Sequence, residues 1–155
     1  MPSAIGGELR WPVRASFLRY VAALPDGRAS VSEGAALTAD DPQLVVYPVD
    51  PGATTPDVLA FAGDLRLGGH GGLLFVRLAA PRIEFGAGAE AVLSVDDPLT
   101  EDGSGPRMRL ATLTVQATES GWTGTNVRLT ADGVGLFNHV YQAGEAFDDL
   151  VVRRT

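Results

Sequence analysis

Leu59-Ala60-Phe61-Ala62-Gly63-Asp64-Leu65-Arg66-Leu67 decides how the chain is to be read. Leu59, Phe61, Gly63, Leu65 and Leu67 alternate with Ala60, Ala62, Asp64 and Arg66. A repeat of two is the signature of a strand with one buried face. Leu73 to Leu78 follows in the same style, and the two segments are expected to pair as a hairpin across Gly68 to Gly72. Outward from this pair, Arg28–Gly34, Leu44–Tyr47, Arg82–Phe85, Ala89–Val95, Arg107–Val115, Thr123–Leu129 and the tail Leu150–Val152 read as further strands. Gly, Pro and Asp clusters separate them, and Asp96 to Pro106 forms the longest loop. The pattern predicts a mainly β chain: an antiparallel β-sandwich or barrel-like fold with two short α-helices, residues 1–155 forming one domain.

The first helix is predicted over residues 11–24. Pro12 suits a first turn, and Pro25 with Gly27 ends the run. Trp11, Ala15, Leu18 and Ala22 fall on one face, widened by Val13, Phe17 and Val21. Ser16 and Tyr20 stand one turn apart at the polar edge of that arc, so their hydroxyls point the same way. Such a pair beside apolar groups can face a ligand. The plain alternative is a Tyr that packs its ring and lends its OH to a carbonyl, next to an incidental Ser. The second helix is predicted over residues 131–142. Thr130 is its cap and Asp132 an acid in its first turn, with Val134, Phe137, Val140 and Tyr141 at helical spacing.

Composition excludes several classes of function. The net charge is -7, which sets aside nucleic acid and anionic membranes as main partners. No run of about 18 apolar residues is present to insert in a membrane as a helix. The absence of Cys removes disulfides, thiolate nucleophiles and Cys-ligated metal sites. The opening Met-Pro-Ser-Ala-Ile-Gly-Gly-Glu has neither a basic region nor an apolar run, so the sequence as it stands reads as cytoplasmic.

His70 lies in Gly68-Gly-His-Gly-Gly72, where four glycines allow a close backbone approach and positive φ. Without other context it reads as an exposed hairpin residue. His139 reads as a surface residue on the polar side of the second helix. No G-x-S-x-G elbow, H-E-x-x-H pair or calcium loop is present. Ser16 has no evident oxyanion hole, and Asp40-Asp41, Asp96-Asp97 and Asp148-Asp149 read as solvated turn acids. The chain does not read as an enzyme.

Four segments in order carry a family resemblance. They are Trp11…Ser16-x-x-x-Tyr20, then Phe61-Ala-Gly63-x-Leu65-x-Leu-x-Gly-His70-Gly71, then Leu110-Ala-Thr-Leu113, then Leu129-Thr-x-x-Gly133…Phe137-x-x-x-Tyr141-x-Ala-Gly144. Together they resemble the HtaA-type domain, known from haem-uptake proteins of Gram-positive bacteria. The resemblance implies a β-rich fold that binds one haem, here ferric haem b. It implies Tyr20 as the iron ligand, with His70 and Ser16 in support. The residues suit those roles. A phenolate is a hard anionic ligand for ferric iron, and an imidazole can hydrogen-bond its oxygen or stand across the ring. Ser16 can bond a propionate, and Phe17 can cover the macrocycle. A haem-uptake, transfer or storage protein follows, with another haem carrier as a partner and a homodimer left open. The competing readings are an enzyme acting at the haem iron and an interaction module without haem.

Overall fold

The computed structural model describes residues 6–98 and 105–154. Residues 99–104 of the long loop, and Met1 to Ile5, lie outside them. Among the described residues, twelve strands and two α-helices follow one another: β1 Gly7–Trp11, α1 Ala15–Ala23, β2 Arg28–Ser32, β3 Ala36–Leu37, β4 Val45–Pro48, β5 Val58–Ala60, β6 Asp64–Gly69, β7 Leu74–Ala79, β8 Arg82–Phe85, β9 Glu90–Val95, β10 Met108–Thr118, β11 Gly121–Leu129, α2 Ala131–Val134 and β12 Leu150–Arg154. A 3-10 turn at His70–Gly72 joins β6 to β7, and another at Gly135–Phe137 extends α2. The strands form a curled antiparallel sheet of nine, ordered β3-β4-β1-β12-β11-β10-β9-β8-β5, and a sheet of three, ordered β2-β6-β7. The mainly β reading with two helices holds.

Three expectations need correction. Trp11 is not on the first helix. It ends β1, a strand that pairs with both β12 and β4 and buries Leu9 and Trp11 on one face. The helix begins only at Ala15, after Val13 turns the chain at φ 59. The second helix is shorter than 131–142: α2 stops at Val134 and its 3-10 extension at Phe137, with Asn138 and His139 left-handed. Thr130 does cap it, its Oγ1 accepting the Gly133 N–H at 3.1 Å. Finally, Leu59 to Leu67 is two strands in two sheets. β5 pairs with β8, whereas β6 pairs with β2 and β7. The break falls at Gly63, whose φ of +127 and closeness to Tyr47 exclude a side chain. A Cβ there would lie 2.7 Å from the Ala35 Cβ and 2.8 Å from the Tyr47 ring.

The sheets enclose the core. Leu9, Trp11, Val45, Tyr47, Leu93, Leu110 and Leu150 are all buried. Tyr47 on β4 donates its OH to the Leu78 carbonyl on β7 at 2.9 Å and so ties the large sheet to the small one. Burial, helped by Asp64, pushes its phenol far above the ordinary range. Asp64, itself buried, pairs with Arg77 at 3.1 Å and Arg66 at 3.2 Å.

β11 meets β12 closely at Gly121, where a Cβ would lie 2.0 Å from the Val152 carbonyl oxygen and φ is +151. Gly121→Ala must therefore push backbone against backbone. It is expected to destabilise the fold by about 2 kcal/mol and lower Tm by about 4–8 °C. Thermal unfolding followed by circular dichroism checks this, and a shift under about 1 °C would refute the register at this edge.

Candidate functional site

Three segments far apart in sequence converge on one groove of about 790 Å³. Phe17 and Tyr20 come from α1. His70 and Leu73 come from the β6–β7 connection, and Leu74 from the start of β7. Asn138, Val140 and Tyr141 come from the stretch after α2. The groove is open at its rim, where Tyr20 is 47%, Val140 66% and Leu73 83% exposed. A soluble domain seldom leaves apolar side chains gathered in this way unless they meet a ligand or partner.

Helical spacing explains how α1 serves the groove. Phe17, Leu18 and Val21 are buried and seat the helix, and Tyr20 emerges beside them. The start of α1 is held from the far end of the chain. The Trp11 indole N–H donates to the Asp148 carbonyl at 2.8 Å, and the Asp148 carboxylate accepts the Ala15 N–H at 2.6 Å. A carboxylate on a first-turn amide also meets the positive end of the helix dipole. Asp148 is thus no solvated turn acid, and Asp96 likewise pairs with Arg107 at 2.9 Å.

The floor is aromatic. The Phe17 ring packs edge-on against Phe137 at 5.4 Å and Tyr141 at 6.1 Å, and lies nearly parallel to Tyr20 at 6.5 Å. Phe147 backs Phe137 at 5.1 Å. The Arg14 guanidinium lies 4.4 Å over the Tyr141 ring, a cation–π contact that fixes this wall. Arg14 also pairs with Glu145 at 2.7 Å and donates to Ser16 Oγ at 3.2 Å. Burial pushes the Tyr141 phenol up.

Of the residues singled out in the sequence, the structure brings Tyr20, His70 and Phe17 together. The Tyr20 Oη and His70 Nε2 share a hydrogen bond, with ring centroids 5.8 Å apart. His70 therefore stands beside the phenol oxygen, on the same side of the groove. Ser16 is exposed one turn away but does not line the groove. His139 is exposed beyond α2. Leu73, Leu74, Asn138, Val140 and Tyr141 were not anticipated as a wall. The signal for the last of these was present in the helical spacing Phe137-x-x-x-Tyr141. Asn138 Nδ2 donates to the Leu73 carbonyl at 3.1 Å and joins the two rims.

A phenol whose oxygen meets an imidazole nitrogen can donate its hydrogen bond to that nitrogen or accept one from it, according to the imidazole tautomer.

The HtaA family model, described as Htaa, matches residues 6–153. The chain belongs to the HtaA family. Its fold matches that of the haem-binding protein HtaB from Corynebacterium glutamicum with a TM-score of 0.76 at 21% identity, covering 97% of this chain and 94% of that one. The N-terminal domain of HtaA from Corynebacterium glutamicum gives 0.74 at 24%, covering 98% and 97%. The C-terminal domain of HtaA from the same organism gives 0.70 at 23%, covering 96% and 95%. At such identities these likenesses establish the HtaA fold. No curated protein matches the chain in sequence.

The Arg14–Glu145 pair makes the groove wall of this HtaA domain sensitive to acid. The Gln142 N–H, then Arg14, hold the Glu145 carboxyl below its ordinary value of 4.5. A folded value below the unfolded one means that the stabilisation is whole above about pH 4.5 and is lost as pH falls through the lowered value. The Tm difference between the native protein and Glu145→Gln is therefore expected to stay constant from about pH 5 to 8 and to shrink below about pH 4. A difference that grows toward low pH would contradict this assignment.

Proposed function

We propose that this chain binds haem b in its ferric state in the groove, with the Tyr20 phenolate as the iron ligand. The observation that carries the reading is the Tyr20–His70 hydrogen bond at the mouth of an aromatic, apolar slot. The fit is chemical as well as spatial. A volume of about 790 Å³ lies in the usual range of about 300–1,000 Å³ for cofactor sites. The chain offers no thiolate, so a phenolate supported by an imidazole is the strongest anionic donor facing the slot. Membership of the HtaA family, and a structural neighbour named as a haem-binding protein, support the same ligand.

The residues then divide the work. Tyr20 presents its oxygen. His70 hydrogen-bonds the Tyr20 oxygen, and with iron bound its imidazole N–H would support the charge on the phenolate. Phe17, Leu74, Val140 and Tyr141 offer flat apolar surface. Ser16, which accepts from Arg14, lies one helical turn before Tyr20 and outside the groove lining, and in this reading its hydroxyl bonds a carboxylate side arm that extends beyond the groove. Bound haem supplies the iron that the phenolate needs. The exposed rim at Tyr20, Leu73 and Val140 suits a protein that takes up haem and passes it to another carrier, because a partner can reach the ligand without unfolding the domain.

A hemin titration followed by absorption tests the reading. The native chain is expected to give a saturable Soret band at one hemin per chain. Tyr20→Ala, still folded by circular dichroism, is expected to lose specific binding. His70→Ala is expected to keep a tyrosinate-like spectrum and to bind roughly 10–100-fold more weakly, the usual cost of losing a group that supports a metal ligand. No saturable band for the native chain, or unchanged binding by Tyr20→Ala, would overturn the proposal.

A further inference from the structure

Asp26 belongs to the turn Leu24-Pro25-Asp26-Gly27 that ends α1, six residues after Tyr20. Its side chain does not stay in that turn. Oδ1 accepts the His70 N–H at 3.1 Å and Oδ2 accepts the Gly71 N–H at 2.7 Å. Both oxygens of one carboxylate thus hold two consecutive amides of the loop that carries the imidazole. Hydrogen bonds to an ionised acceptor are the strong kind.

That loop needs holding. His70 has φ 53 and Gly71 φ 66, two successive left-handed residues, the first with a Cβ that crowds its own backbone there. Leu73 and Gly72 beyond it are exposed. Packing helps on the side of α1. Gly69 lies so near the end of α1 that a Cβ on it would come within 2.7 Å of Leu24 Cδ1. The short segment from Tyr20 to Asp26 therefore grips His70 twice: Tyr20 by the imidazole and Asp26 by the main chain.

We propose that Asp26 is a positioning residue, whose carboxylate fixes the left-handed backbone of His70 and so aims Nε2 at the Tyr20 oxygen. Freed from Asp26, the loop relaxes toward negative φ and swings the imidazole off the phenol. In its consequence for haem this rests on the function proposed above; in its consequence for the protein without ligand it does not.

The test uses Asp26→Ala, Asp26→Asn, His70→Ala and the double variant Asp26→Ala/His70→Ala. The first readout needs no haem. The imidazole nitrogen shifts of His70 and the exchange protection of the Gly71 amide are measured by NMR at neutral pH. Asp26→Ala is expected to move the His70 shifts toward those of a free imidazole and to remove the Gly71 protection. Asp26→Asn, whose amide oxygen still accepts a hydrogen bond, is expected to fall between the two. The second readout is hemin dissociation. Asp26→Ala is expected to accelerate it about tenfold when His70 is present and to leave it unchanged when His70 is already Ala, since the effect runs through the imidazole.

Unchanged His70 shifts in Asp26→Ala would overturn the proposal. So would an equal acceleration with and without His70, the mark of a merely structural role. If the native chain takes up no hemin, the haem reading fails, and the His70 and Gly71 signals decide the role of Asp26 by themselves.

Discussion

The pairing of the first strand with the last organises this molecule. β1 lies between β4 and β12, so residues at the start of the chain stitch the closing strand into the large sheet. The same junction sets the helix. Trp11 ends β1 buried, its indole donating to Asp148 just before β12, and the Asp148 carboxylate receives the first amide of α1. Where α1 begins therefore depends on where β12 lies. Because Tyr20 is one turn beyond the buried Phe17, the sheet register fixes the height at which a phenol emerges above the aromatic floor.

On that frame, the groove is built from parts that have no local reason to meet. The β6–β7 connection reaches α1 through Asp26 and Tyr20, and reaches the stretch after α2 through Asn138. Three residues with positive φ stand on or next to its two rims: His70, Asn138 and His139. Strained backbone of this kind persists where surrounding contacts over-determine it, and such places are often ligand sites. Here the strain turns one imidazole toward one phenol and leaves both at the edge of apolar surface. The floor, by contrast, is ordinary core: Phe17, Phe137 and Phe147 are buried and would pack as they do with or without a ligand.

The sequence carried the architecture through its period-two runs, and the hairpin expected between Leu59–Leu67 and Leu73–Leu78 forms from Asp64 and Leu74 onward, as β6 and β7. It hid β1, although Leu9 and Trp11 do alternate with Glu8 and Arg10. Trp11 also falls at helical spacing from Ala15 and Leu18, and nothing local separates the two periods. It hid the change of sheet at Gly63, because alternation continues unbroken through a residue whose turn is set by contact with Tyr47. At the site, Ser16, Tyr20 and His70 drew notice as polar groups beside apolar or glycine-rich surroundings. Asp26 did not, since an acid between Pro25 and Gly27 looks like any turn residue, and its partners lie more than forty positions away. Tyr141 was legible only as an aromatic at helical spacing. Its place on the wall depends on the early end of α2.

The central claim is that the groove holds ferric haem through Tyr20. A crystal structure of the protein grown with hemin tests it most directly. The account predicts a porphyrin seated between α1, the β6–β7 connection and the stretch after α2, with Tyr20 Oη bonded to the iron and His70 Nε2 hydrogen-bonded to that oxygen. A porphyrin bound elsewhere, or one in the groove whose iron is ligated by His70 or His139 while Tyr20 stands free, would contradict it.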